Sequence, residues 1–306
     1  MKIMKKLPLI IDTDIGSDID DTWALATMFG DPIFDVKLVM TVCEDVQYKC
    51  ALVDKLAAAA GKRIPVVAGK GSAVQCSAQA AWVGKETEYP TNFEKEFIDA
   101  AERGSTIVAL GPMTNLAQLA KRYPDLFPHL NIVAMLGAIR KGYINQSEPA
   151  AECNAALDPE AFRNVLASGA KITLVPLDVC RDYIVDGADF QKIRQSAAPL
   201  ARAVIENYEI WHRDYVGGAI KYPVETSSGI LYDLLPVYYL RFPEHFEGEK
   251  LKISVTDEGR TVESREGREA FCLLNYEGRE VFDEYLITIL SGGIYGESSL
   301  EKKAGQ

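Results

Sequence analysis

Six short, unbroken apolar runs recur along the first two-thirds of this chain: LPLII (7–11), VKLVMTV (36–42), IPVVAG (64–69), TIVALG (106–111), NIVAMLG (131–137) and KITLVPL (171–177). Segments with helical spacing stand between several of them, among them VQYKCALVDKLAAAAG, FEKEFIDAAERG, MTNLAQLAKRY and DPEAFRNVLASG. A strand with one wet face alternates apolar and polar residues. An unbroken run needs cover on both faces, which βαβ units provide. The expected fold is therefore α/β, a single domain over residues 1–306 built on a mostly parallel, doubly wound, Rossmann-like central sheet. The final third reads differently. A long helix over 199–216, a closing helix in EVFDEYLITIL and a turn at Gly259 within LKISVTDEGRTVE predict a C-terminal helical section with a small hairpin. At 306 residues and 48% hydrophobic, the chain is long enough to bury such a core.

In open parallel sheets, ligands bind beyond the carboxyl ends of the strands. The residues just after each run are accordingly the candidates for chemistry, and after the first run comes DTDIGSDIDD, with five aspartates between residues 12 and 21. Carboxylates so close repel one another unless water solvates them or a cation stands between them. Glu44-Asp45, GPMTN, RKGYINQSEPAAECN, Asp178 and Asp182 complete a rim rich in carboxylate and amide groups and poor in lysine. Such a rim suits a divalent cation and a polyol better than a phosphate. A formal net charge of −11 argues against nucleic acid as a partner, while an uncharged nucleoside or sugar meets no such barrier. The six cysteines form no CxxC pair and lie mostly in apolar surroundings, as free thiols do in a reducing compartment. With neither a secretory h-region nor an apolar run of membrane-spanning length, the expectation is a cytoplasmic protein without membrane contact.

DTDIGSDIDDTWALA resembles the N-terminal signature D-x-D-x-G-x-D-D-x-x-A of the inosine–uridine preferring nucleoside hydrolases. ALGPMTNLA (109–117) is similar to that family's GPLTN segment and AECNAALDPEA (151–161) to its E-x-N-x-x-x-D-P-E-A segment. GILYDLLPV (229–237) falls where the family has a His-Asp pair before a helix. The resemblance implies a Ca2+-dependent hydrolase that cleaves the N-glycosidic bond of ribonucleosides, acting as a homodimer or homotetramer. Carried over residue by residue, Asp14 binds calcium and takes a proton from the attacking water. Asp21, Asp233 and the backbone carbonyl of Leu110 complete the protein ligands. Asp20, Glu152 and Asn154 hold ribose hydroxyls, Asp45 stands where the family often has an asparagine on the sugar, and Asn145 or Gln146 reaches the 5′ end.

The chain departs from the pattern in three places. Its aspartate loop is two residues longer; aligning on TWALA keeps Asp20 and Asp21 in place and leaves Asp18 extra, as a cap or a sugar contact. The family's leaving-group histidine is Tyr232 here, so the acid is either that tyrosine or His212, which otherwise simply packs on its helix. Trp82 stands near a His-Gly pair of the family and either lines the base pocket or packs. Trp211, with Tyr215, either stacks on the base or belongs to the core. Asp12 reads as a residue orienting Asp14 or a backbone amide. Two alternatives are carried forward: a Mg2+-dependent, haloacid-dehalogenase-like phosphohydrolase, and a non-catalytic ribose- or nucleoside-binding protein.

Overall fold

The computed structural model describes residues 6–73, 78–84, 88–101, 106–144, 146–216 and 223–296. The six apolar runs fold into strands β1 (Leu7–Thr13), β2 (Phe34–Thr41), β3 (Val66–Ala68), β4 (Thr106–Ala109), β5 (Asn131–Met135) and β6 (Lys171–Val175). Three more follow: β7 (Phe246–Val255), β8 (Thr261–Glu263) and β9 (Arg268–Tyr276). Among the described residues the nine strands form one sheet, in the order β3-β2-β1-β4-β5-β6-β9-β7-β8.

From β3 to β6 every pairing is parallel. The chain winds outward from β1 to β3, then returns to place β4 on the other side of β1. That reversal opens a crevice between the carboxyl ends of β1 and β4, where an α/β sheet receives ligands.

The unbroken apolar runs are explained by cover on both faces. Leu9 and Ile11 of β1 pack into one core with Trp23, Tyr208 and Tyr238, while Ile10 between them packs into a second core with Phe97, Phe127 and Phe162. The same alternation divides Val108 from Ile107 and Val133 from Ile132. Each such side chain removed from water stabilises the fold by roughly 1.5–3 kcal/mol.

The C-terminal hairpin differs from the expectation in its connection. β7 and β8 do turn at Gly259, whose φ of +83° favours glycine, but β9 pairs antiparallel to β7 and parallel to β6. The hairpin thus extends the central sheet rather than standing apart. β9, REAFCLLNY, gives a mixed inside–outside pattern because one face is only partly covered, which hid it among charged neighbours. The helix expected over 199–216 runs as an α-helix from Pro199 to Trp211 and continues as a π-helical turn over His212–Val216. Among the described residues, no helix is long and apolar enough to cross a membrane.

Candidate active site

The strand ends assemble a cavity of about 340 Å3. Asp14, Asp18, Asp20 and Asp21 reach it from the β1 side, Leu110 from the end of β4, and Glu152 and Asn154 from the segment beyond β5. Tyr232 and Asp233 arrive just before the helix Leu234–Arg241. Asp20 and Asp21 are the first two residues of the helix Asp20–Gly30, and Ile19 before them is buried in the core. This is the register set by the TWALA segment, in which no alkyl side chain falls on a ligand position.

Four of the carboxylates, Asp14, Asp20, Asp21 and Asp233, are crowded and buried. One oxygen from each of Asp20, Asp21 and Asp233 lies within 4.8 Å of the others, and all three residues are buried. Burial first, and then the neighbouring negative charges, raise all three well above the usual carboxylate range. Asp14 is raised chiefly by burial and by Glu44, against the opposing pull of Lys49. Thr13 donates its hydroxyl to Asp21, and the amide of Ile15 donates to the Thr13 hydroxyl at 3.1 Å. The cluster is all hard oxygen at short mutual distance, the donor chemistry of a divalent cation site, and a cation there would relieve the repulsion.

The tightest trio differs from the ligand set implied by the sequence resemblance. It includes Asp20, expected on the sugar, and omits Asp14, whose carboxylate lies against Gly111. A Cβ at Gly111 would come within 3.0 Å of Asp14 Oδ1, so glycine is required there for close approach. Asp12 sits behind the cavity. Its Oδ1 accepts the Asn115 amide at 2.7 Å, its Oδ2 has no hydrogen-bond partner among the described residues, and burial pushes it up to about 8. Asn115 also donates to the Thr41 carbonyl at 3.1 Å and accepts from the Lys70 amide at 2.7 Å. The asparagine of GPMTN therefore ties the ends of β1 and β2 to the loop after β3.

On the facing wall, the Glu152 carboxylate accepts backbone N–H groups of Gly137, Asn154 and Ala155 at 3.0, 2.7 and 3.0 Å. Burial nevertheless outweighs these bonds and pushes it up to about 7. Asn154 donates its side-chain NH2 to the carbonyls of Leu110 and Met135 at 3.0 and 3.2 Å. Its amide oxygen is what remains for a ligand. Tyr232 meets Tyr143 edge to face, with ring centroids 6.2 Å apart, and the Tyr143 hydroxyl accepts the Cys153 amide at 2.8 Å.

Several residues named from the sequence do not line this cavity. Asp45 caps the helix Val46–Ala59, accepting the Tyr48 amide at 3.1 Å, and the neighbouring Glu44 lines the cavity in its stead. Trp82 lies in a separate hollow, with Lys55 over its ring and its indole N–H donated to Glu206 at 3.3 Å. Trp211 is buried against Tyr208 with rings stacked at 6.1 Å, and His212 meets the same tyrosine edge-on. Trp211 is turned inward by the last turn of its helix, while His212, opening the π-helical turn, stays half-buried. Gln146 is exposed, and Asn145 lies outside the described residues. Asp18 accepts the Ile19 amide at 2.6 Å, a contact just before the helix rather than a cap of it, and it lines the cavity.

Lys49 and Tyr143 are the contributions that sequence reading missed. Tyr143 stood within a segment already singled out, RKGYINQ. Lys49 gave no signal, because it comes from a helix passing beneath the aspartate loop rather than from a strand end.

The family model of the inosine-uridine preferring nucleoside hydrolases matches residues 9–283. The chain is 30% identical over 200 residues to the non-specific ribonucleoside hydrolase RihC of Escherichia fergusonii, a match covering 59% of this chain and 64% of that relative. It is 28% identical to RihC of Klebsiella pneumoniae over 86% of this chain and 90% of the relative. A plant nucleoside hydrolase, PpNRh1, shares the fold with a TM-score of 0.78 at 19% identity, over 93% of this chain and 99% of that one. The model match spans most of the chain and takes in the aspartate loop, the GPMTN turn, the ECN segment and Asp233. The chain belongs to the inosine-uridine preferring nucleoside hydrolase family.

Proposed function

We propose that this protein hydrolyses the N-glycosidic bond of ribonucleosides, releasing ribose and free base, with Ca2+ held by Asp14, Asp21, Asp233 and the Leu110 carbonyl. The observation that carries the reading is the meeting, in one cavity, of the buried aspartates with Glu152 and Asn154 on the facing wall. A cation bound there supplies Lewis acidity toward water and sugar hydroxyls. Asp14 accepts the proton of the attacking water. Glu152, oriented by three backbone N–H groups, and the Asn154 amide oxygen accept hydrogen bonds from ribose hydroxyls, joined by Asp20. As the bond to the base breaks, positive charge grows on the sugar, and the surrounding carboxylates favour that state over the neutral ground state. Tyr232 and Tyr143 form the aromatic side of the cavity, from which the Tyr232 hydroxyl donates to the departing base. Family membership replaces the phosphohydrolase alternative.

The deciding experiment measures free ribose from a panel of purine and pyrimidine ribonucleosides, with Ca2+ and with chelator. Calcium-dependent release is the expected result. Tight nucleoside binding without release from any of them would instead mark a binding protein. A cytoplasmic homodimer or homotetramer remains part of this reading, and sedimentation equilibrium tests the assembly.

Tyr232→Phe separates a proton donor from a mere wall. General acid help contributes about 10²–10⁴-fold. The variant should lose a factor in that range on ordinary nucleosides, yet stay near wild type on p-nitrophenyl riboside, whose leaving group departs as a stable phenolate. Equal losses on both substrates would mean that Tyr232 only shapes the cavity.

Buried carboxylates in and around the cation site favour their protonated forms when no cation is bound, and Asp20, Asp21 and Asp233 are all raised by burial and by one another's charge. In the metal-free protein Asp12 and Glu152 are pushed up to about 8 and 7, far above their values in the unfolded chain. The folded state then binds more protons than the unfolded state between about pH 4 and pH 8, so stability falls as pH rises through that window. Below it both states are protonated and the penalty vanishes. Saturating Ca2+ should flatten this slope and, at about 100 times its dissociation constant, add about 2.7 kcal/mol of stability. A melting series with chelator and with Ca2+ from pH 5 to 8 checks both; a chelated protein that grows more stable toward pH 8 would refute the argument that burial raises these carboxylates.

A further inference from the structure

The aspartate loop rests on a buried lysine. Lys49, in the first turns of the helix Val46–Ala59, is 0% exposed. Its ammonium donates to the Asp14 carbonyl and to Ser17 Oγ, both at 2.6 Å, and pairs with Glu44 Oε2 at 3.2 Å. Ser17 donates its own hydroxyl to the same Glu44 oxygen at 2.8 Å, closing a ring of three side chains under the loop. Gly16 presses the loop onto this helix with φ of +94°; a Cβ there would lie 2.7 Å from Leu52 Cδ1 and 2.9 Å from Tyr48 Cε1. On the other side of the ring, Cys43 and Glu44 hold left-handed φ values of +66° and +50°, a conformation that non-glycine residues keep only where the surroundings enforce it.

A buried ammonium is costly unless it is paired, and an apolar side chain of similar length would avoid the cost. The loop it serves is also the one that is two residues longer than the family pattern, and Ser17 lies within the lengthened stretch. We propose that Lys49 is a positioning residue for the hydrolytic site: it holds the peptide of Asp14 and the side chain of Ser17 so that the Asp14 carboxylate is presented to cation and water. The same ammonium lets Glu44 stand on the cavity wall beside the aspartates, where its negative charge would otherwise push Asp14 away. The inference rests on the metal-dependent hydrolase reading of the same cavity.

Lys49→Met keeps the length of the side chain and removes its charge and its donors. The test compares it with wild type by backbone amide exchange at residues 14–19, Ca2+ affinity from calorimetry, and kcat and KM for a cleaved nucleoside. Groups that orient metal ligands typically account for 10–100-fold in metal affinity or activity. The variant should keep the wild-type circular dichroism spectrum, exchange faster at 14–19, and lose Ca2+ affinity and kcat by factors in that range, with KM much less changed. Ser17→Ala should move the same readings in the same direction by less.

A Lys49→Met protein with wild-type affinity, exchange and kcat, altered only in melting temperature, would overturn the proposal and leave a merely structural ion pair. Should Lys49→Met fail to fold, Ser17→Ala decides: unaltered exchange and affinity overturn the proposal. The metal and exchange readings need no turnover. A wild-type protein that binds Ca2+ but cleaves no nucleoside therefore refutes the hydrolase reading separately.

Discussion

Asp14→Asn should leave the fold intact and lower ribose release by about 10³-fold or more. Asparagine fills the same space against Gly111 and still reaches the cavity, but it cannot accept a proton at neutral pH, and base catalysis alone is worth about 10²–10⁴-fold. If Asp14 is also a cation ligand, calcium affinity falls in the same variant, because one anionic donor is lost. The geometry makes this second effect informative, since the tightest carboxylate trio is Asp20, Asp21 and Asp233. Near-normal calcium binding with no turnover would make Asp14 a base and not a ligand. Circular dichroism, calorimetry and a ribose assay on one preparation separate the outcomes. A variant that retains more than about a tenth of the wild-type rate would exclude Asp14 as the base, given the size of the general-base contribution.

Asp233→Asn should act in opposite directions on stability and on metal binding. Asp233 is buried beside Asp20 and Asp21, and burial followed by their charges raises it well above the usual carboxylate range. Taking one charge out of that cluster relieves repulsion, so at pH 8 the metal-free variant should melt higher than the metal-free wild type. The same change removes a hard anionic donor, and calcium affinity should fall by about 10–100-fold, with most of the calcium-induced rise in melting temperature lost. Melting curves in chelator and in Ca2+ measure both effects. A metal-free variant that melts well below wild type would mean that Asp233 holds the helix start at Leu234 rather than a cation.

Asp21 illustrates how far the sequence alone reaches. Its place beside Asp20 at the start of a helix follows from the apolar LPLII run before it and the helical TWALA after it. A covered strand followed by a short turn puts the polar residues at the strand's carboxyl end. Glu152 and Asn154 belong to the long segment that follows the run NIVAMLG, well beyond the end of β5 at Met135, and only their place after a strand was legible. Six parallel strands and the cluster of acids at their ends are written in local patterns of period and charge, which a linear reading detects.

What the sequence could not show are choices made by packing across the sheet. Asp45 and Glu44 are adjacent and chemically alike; only the direction in which the helix Val46–Ala59 leaves β2 makes one a cap and the other part of the cavity wall. Trp82 and Trp211 have the composition of a base pocket, yet their helices turn them toward Glu206 and Tyr208. β9 joins the sheet only because β6 leaves an edge to pair with, a contact nearly a hundred residues away along the chain. Lys49 reads as an ordinary helical lysine until the aspartate loop folds over it. The residue types and their order along the chain therefore determined the fold class and the acidic half of the site. The tertiary structure alone decided which neighbours face the cavity, because hydrogen-bond partners and burial are set by contacts between distant segments.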